Sequence, residues 1–369
     1  MNSYSTRLSK LPTSLWQRLA QIDEVKGQWH HGAGLSPQVL GRLKRSVLIT
    51  STGASTRIEG AHLSDEAVER LMRGPRLQQF ADRDAQEVRG YYEVLQLVFD
   101  SFASIDLTEN QIKQLHALLL RYATKDQRHR GQYKTLANKV EMTDVDGHAV
   151  PLFDTMPPYL TAKQMAELVA WTNQELAAAT HHPLCVIGTF VVEFLKIHPF
   201  LDGNGRLSRV LTNMLLLRAG YNYPPYVSHE HLIEANKTDY YLALRRAQTT
   251  FGTDHETVTP WLEFFITICL TQARQAAALL SNTAITQLLS PNQLLVWNYL
   301  GTVDEAPPRT IAKATTVPQP TVAQALDKLL ALDKVERLGL GRATRYRRCG
   351  DEQRPAQQSD GGDHEETAA

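Results

Sequence analysis

The stretch His198-Pro-Phe-Leu-Asp-Gly-Asn-Gly-Arg-Leu-Ser-Arg209 brings together one imidazole, one carboxylate, one carboxamide and two guanidiniums. A purely structural loop does not need that density of polar groups, so the stretch reads as a site. Gly203 and Gly205 let a ligand come close to the backbone. A loop that opens a helix also offers free N–H groups at the positive end of the helix dipole. The combination is an anion cradle, and a substrate with several phosphates and a divalent cation fits it.

Two apolar helices must hold this loop. Pro183–Ile197 is apolar on most sides (Leu184, Val186, Ile187, Phe190, Val191, Val192, Phe194, Leu195), which marks a central, buried helix. Pro199 cannot continue its ladder, so the chain turns after His198 and enters a second apolar helix, Asn204–Ala219, that stops at Gly220. Upstream, about Ser14 to Val98 reads as helices, with Val68, Leu71 and Met72, then Tyr91, Val94, Leu95 and Val98 at helical spacing. Thr108-Glu-Asn-Gln111 reads as a capping box opening a helix to about Tyr122. Further helices are expected over Lys163–Ala177, Lys237–Gln248 and Pro260–Leu279, the last ending near Ser281. Between Gly131 and Phe153 the residues alternate partly and carry Asp146-Gly147, a turn signal, which predicts a β-hairpin.

His198–Arg209 resembles the Fic-family motif, His-Pro-Phe-x-(Asp/Glu)-Gly-Asn-Gly-Arg-x-x-Arg, at every fixed position. The resemblance covers about Ser14 to Leu280 and implies a mainly α fold, a Fic helical core with a small hairpin flap. It implies a protein adenylyltransferase that moves AMP from ATP to a Ser, Thr or Tyr hydroxyl of a target protein, and of itself. In that reading His198 is the general base. Asp202 holds Mg²⁺, with Mn²⁺ as an alternative, between the α- and β-phosphates. Asn204 and the backbone of Gly203, Gly205 and Arg206 cradle the phosphates, while Arg206 takes the β- and Arg209 the γ-phosphate. Tyr240, Tyr241 and Gln248 stand where family members often have a tyrosine pair and an amide beside the nucleoside, although tyrosines spaced helically with Leu244 equally suit a core. Lys139, Val140, Glu141 and Met142 match the flap that docks the target segment by strand addition, the other reading being an ordinary surface hairpin. Ser55-Thr-Arg-Ile-Glu59-Gly60 is similar to the family's inhibitory signature, which implies that Glu59 pairs with Arg209 and occupies the fork needed by the γ-phosphate. Gly60 is expected to end that helix.

From Ser290 to Arg348 the order becomes helix, helix, helix and two short strands, the order of a winged helix-turn-helix unit. Arginines at 337, 342, 345, 347 and 348 would give a basic wing suited to DNA phosphates. The second helix of the turn carries Gln319, Thr321, Gln324 and Lys328 but no arginine, so DNA contact and protein docking or dimerisation both stay open. The alternative to an enzyme is a DNA-binding regulator whose Fic core senses nucleotide. The expected division is 1–105, an N-terminal helical region with the inhibitory motif; 106–282, the catalytic core; 285–348, the winged-helix domain; and 349–369, a disordered acidic tail.

Composition narrows the class further. Lysine plus arginine balances aspartate plus glutamate at 39 each, so no global field favours nucleic acid or a membrane surface. Three scattered cysteines, Cys185, Cys269 and Cys349, have no metal-ligand spacing and suit a reducing compartment. No apolar run approaches the roughly 20 residues of a membrane span, and the first residues lack a signal peptide's apolar stretch, which together imply a cytoplasmic protein.

Overall fold

In the computed structural model, residues 3–9, 11–32, 35–73, 83–125, 127–143, 149–332, 334–339 and 344–349 are described. The Asp146-Gly147 turn, Arg342 and the acidic tail from Gly350 onward lie outside them. The chain forms two compact units, Met1–Leu280 and Ser281–Ala369.

The first unit contains α1 (Ser3–Leu8), α2 (Thr13–Gly32), α3 (Pro37–Ile58), α4 (Asp65–Arg73), α5 (Arg83–Ser101) and α6 (Glu109–Leu119). The antiparallel hairpin β1 (Lys139–Thr143) and β2 (Ala149–Asp154) follows. Then come α7 (Pro158–Ala178), α8 (Pro183–Ile197), α9 (Asn204–Arg218), α10 (His229–Ala235), α11 (Lys237–Gln248) and α12 (Thr259–Leu288), the last belonging to this unit as far as Leu280. α8 has the predicted bounds, and its Phe190, Phe194, Leu184 and Val192 are all 0% exposed. At roughly 1.5–3 kcal/mol for each large apolar side chain fully buried, this helix is a main source of the unit's cohesion. It packs against α7, α9 and α11, so both ends of the polar loop are fixed in the core.

Several boundaries differ from the sequence expectation. α12 continues to Leu288 instead of ending near Ser281, because Ser281–Leu288 contains neither glycine nor proline to break it. Only half of the expected capping box forms at α6: Thr108 Oγ1 accepts from the Gln111 N–H at 3.1 Å. α1 and α10, of 6 and 7 residues, carry too few periodic positions to be read from the sequence. Tertiary contacts hold α1: Arg7 forms a buried ion pair with Glu193 of α8 and stacks over Phe251 at 4.3 Å. α10 is capped by Ser228, whose Oγ accepts from the His231 N–H at 3.0 Å.

In the hairpin, Val140 faces Phe153 while Glu141 faces Pro151, so β2 carries one extra residue, Leu152. The sheet has two strands among the described residues, each with an outer edge.

The second unit has its own apolar cluster around Val296, Trp297, Ile311, Val322, Leu326 and Leu329. Its elements are α13 (Pro291–Leu300), α14 (Pro308–Thr315), α15 (Gln319–Ala331), β3 (Val335–Leu338) and β4 (Arg345–Arg348), in the order anticipated from the sequence. Ala306 adds an antiparallel bridge to Tyr346. Among the described residues no helix is long and apolar enough to cross a membrane, and Cys185 and Cys269 are buried.

Candidate active site

α8 ends by placing His198 in the left-handed region, φ +50°, with its N–H bonded to the Phe194 carbonyl at 2.9 Å. That conformation is uncommon for a non-glycine residue, and it turns the chain abruptly out of the helix. His198 Nδ1 lies 3.2 Å from the Leu195 carbonyl oxygen. A carbonyl oxygen can only accept, so the pairing assigns the proton to Nδ1 and leaves Nε2 with its lone pair. Burial pushes the imidazole down to about 4, and the nearby Lys134 charge pushes the same way; the Leu195 bond, Glu59 and Asp202 oppose them. His198 is thus a neutral base with the acceptor nitrogen defined.

The loop after it is braced from inside. Asn204 Oδ1 accepts from the Phe200 N–H at 2.9 Å and Asn204 Nδ2 donates to the Phe200 carbonyl at 2.7 Å. The carboxamide expected to cradle phosphate thus makes two bonds within the loop itself. Phe200, 0% exposed, faces the core as expected and stacks on His116 at 3.7 Å, nearly parallel. His116 Nδ1 accepts from the Gly131 N–H at 2.9 Å, so Nε2–H donates to the Asp202 carbonyl at 3.0 Å. Burial pushes this imidazole down to about 4, which keeps it neutral in both bonds. Gly203 adopts φ +78°, a turn that a side chain would strain. Past it, the first N–H groups of α9 have no carbonyl within their own helix to meet.

The charged groups form two clusters. Burial raises the Asp202 carboxyl, but the Arg206 guanidinium and the Gly203 N–H outweigh that and hold it below its ordinary value. Arg206 Nη2 donates to Asp202 Oδ2 at 2.9 Å, and Arg206 Nη1 lies 2.9 Å from Glu87 Oε2. Arg206 and Glu87 are both buried, and Glu87 also receives Arg83 Nε at 2.7 Å. In the second cluster Arg209, 2% exposed, donates Nε to Ser55 Oγ at 2.8 Å. Its Nη2 donates to the Ser55 carbonyl at 2.9 Å and to Glu59 Oε1 at 2.8 Å. Burial disfavours the charged guanidinium, yet the Glu59 carboxylate outweighs it and raises the Arg209 pKa. A methyl group added to Gly205 would overlap the Glu59 carboxylate, so that carboxylate lies against the first turn of α9. α3 stops at Ile58, Glu59 caps it, and Gly60 turns away with φ +101°.

The structure therefore brings Ser55, Glu59, Gly205 and Arg209 together and, around Asp202 and Arg206, adds Glu87 and His116, which sequence reasoning missed. Tyr241 OH reaches the Ile58 carbonyl at 3.4 Å, beside Glu59. Tyr240, 3% exposed, packs against Trp261 at 5.7 Å and against Tyr241 at 5.2 Å. Gln248 departs from the expectation: it is 1% exposed and donates to the Val192 carbonyl at 3.0 Å, holding α11 to the interior of α8. Lys139 to Met142 lie on β1, with backbone pairing to β2 as given above.

A helical core that presents a neutral histidine, an open helix start and two buried arginines is an arrangement suited to anionic groups such as phosphates. Residues 106–216 match the Fic/DOC family, and the chain belongs to it. A Fido domain-containing protein of Dictyostelium discoideum is 33% identical over 102 residues, 28% of this chain and 67% of that protein. Protein adenylyltransferase Fic of Drosophila yakuba is 35% identical over 140 residues, 38% of this chain. The chain spans 25% of the length of that Drosophila relative. Among solved structures, a Fic family protein from Desulfovibrio desulfuricans G20 is 25% identical with a TM-score of 0.59, over 94% of this chain and 98% of that one.

Proposed function

We propose that this chain is a protein adenylyltransferase that transfers AMP from ATP to a Ser, Thr or Tyr hydroxyl of a target protein and of itself, and that Glu59 holds it inhibited. The observation that carries the reading is the neutral His198 with its Nε2 lone pair, beside an arginine fork filled by Glu59. His198 Nε2 takes the proton of the acceptor hydroxyl as its oxygen bonds to the α-phosphorus. The bond from that phosphorus to the bridging oxygen breaks, and pyrophosphate leaves. The N–H groups opening α9 and the Arg206 guanidinium receive phosphate oxygens. Arg209 receives the γ-phosphate once Glu59 has withdrawn.

Asp202, partly exposed and held below its ordinary value, is a single hard carboxylate. It fits Mg²⁺, or Mn²⁺, a cation that keeps water and phosphate oxygens for its other positions. Bound there, the cation offsets negative charge on the phosphates. The outer edge of the β1–β2 hairpin suits strand addition by the target segment.

The test is incorporation of α-labelled ATP with Mg²⁺ into the purified chain and a lysate, for wild type, Glu59→Gly and Glu59→Gly/His198→Ala. Label that rises without Glu59 and vanishes without His198 supports transfer and inhibition. Equal label in wild type and Glu59→Gly overturns the inhibition, and no label in any form overturns the transferase.

A further inference from the structure

Lys134 is a buried amine, 3% exposed, that the chemistry above does not use. Its Nζ donates to three acceptors: Asn138 Oδ1 at 2.8 Å, Thr155 Oγ1 at 2.9 Å and the Ile197 carbonyl at 3.0 Å. Asn138 directly precedes β1, Thr155 directly follows β2, and Ile197 directly precedes His198. The surrounding bonds repeat the pattern. The Lys134 N–H donates to the Pro199 carbonyl at 2.8 Å, and Asn138 Nδ2 donates to the Phe200 carbonyl at 2.7 Å. Thr155 Oγ1 returns to the Asn138 carbonyl at 2.8 Å, closing the base of the hairpin. The ammonium thus joins both ends of the hairpin to the backbone just before the histidine, and the Lys134 backbone N–H holds the residue just after it.

We propose that Lys134 is a positioning residue that fixes the hairpin base relative to His198, so that an acceptor hydroxyl docked on the hairpin meets the histidine's free nitrogen. The proposal rests on the transferase reading for its consequence, while its geometry stands by itself. A fully protonated amine has three N–H donors for its three acceptors; a neutral amine has two, and a lone pair that faces an oxygen. Burial pushes Lys134 down to about 8, so the third bond is lost as pH rises through that value. Its three partners carry no charge, and its own charge helps to lower the His198 imidazole. A small shift between docked oxygen and base is enough to slow transfer, by on the order of 100-fold for a displacement of about 1 Å.

The experiment uses the full chain in the Glu59→Gly background, with Lys134→Met and Lys134→Arg. AMP transfer to a captured target or to the chain itself, ATP binding, and amide hydrogen exchange are measured for each. Lys134→Met is expected to lower transfer by about 10- to 100-fold while ATP affinity stays within about threefold. Exchange should rise together in residues 138–143, 149–156 and 197–202. Lys134→Arg, with a charge that persists at all accessible pH, should retain most of the transfer and abolish the fall in rate above about pH 8. Unchanged transfer and exchange in Lys134→Met overturn the proposal, as does equal loss of ATP affinity and transfer in both variants. If Lys134→Met does not fold, a basic limb that persists in Lys134→Arg overturns it. Raised exchange in Lys134→Met with no transfer even in the Glu59→Gly parent would leave the positioning in place and refute the transferase reading.

Discussion

His116 gives the most direct physical test of how the loop is held. Its imidazole accepts at Nδ1 from Gly131 and donates at Nε2 to Asp202, an arrangement available only to the neutral ring. Burial pushes it down to about 4 from an ordinary value near 6.5. The unfolded chain binds more protons than the folded one between those values, so stability rises with pH there. The contribution is complete above about pH 6.5 and is lost as pH falls through about 4. At 1.36 kcal/mol per pH unit the whole window is worth about 3 kcal/mol, of which about 2 kcal/mol has gone by pH 5. His116→Phe keeps the ring stack on Phe200 but cannot titrate, and it leaves the Gly131 N–H and the Asp202 carbonyl unpaired. The variant should be less stable at pH 7 by about 2–4 kcal/mol, and the gap should narrow by about 2 kcal/mol at pH 5. Urea unfolding followed by tryptophan fluorescence at both pH values reads the difference, because the other titrating groups and the second unit are common to both proteins. A gap of equal size at pH 7 and pH 5 would refute the neutral clamp.

Other outcomes follow from the same geometry. With His198 pushed down to about 4, transfer by Glu59→Gly should persist below pH 6 in a kcat/KM profile, and half-loss near 6.5 would contradict the buried neutral base. Glu87→Gln removes the buried carboxylate facing Arg206 and should lower kcat/KM for ATP by about tenfold, measured by ATP titration of transfer. A methyl at Gly90 would overlap the Leu119 carbonyl oxygen where α5 crosses α6, so Gly90→Ala should cost about 3 kcal/mol in thermal unfolding of the first unit. In the second unit Arg345 pairs with Glu305, Arg347 with Glu336, and Arg348 lies over Trp297 at 3.7 Å. DNA titration at low and moderate salt should therefore show weak binding with a shallow salt slope, and a steep slope abolished by Arg345→Ala/Arg347→Ala would contradict this.

The catalytic segment was legible because its chemistry is contiguous: one helix delivers His198 and the next begins at Asn204, so spacing alone defines both the loop and its flanks. The bounds of α8 and α11 followed from apolar continuity and from Pro183. Glu87 was not legible, because an acid four residues after Arg83 on a helix reads as a solvated pair until the fold brings α9 against it. His116 and Lys134 likewise sit on segments far from the loop in sequence, and only burial turns them into braces for it. Asn204 and Gln248 both bond backbone carbonyls, and composition does not distinguish an amide that serves the ligand from one that serves the backbone.

The contact between Glu59 and Arg209 has a consequence for the protein's lifetime as well as its activity. The Glu59 carboxylate is also the charge partner of a guanidinium only 2% exposed inside the first unit. Its removal leaves a buried cation uncompensated until an anion arrives, a situation that destabilises a fold markedly. In the proposed reading a form without the Glu59 contact is therefore less durable, and nucleotide should lengthen its survival more than that of the paired form. Activity in such a chain would come in short-lived episodes, ended by re-pairing or by unfolding.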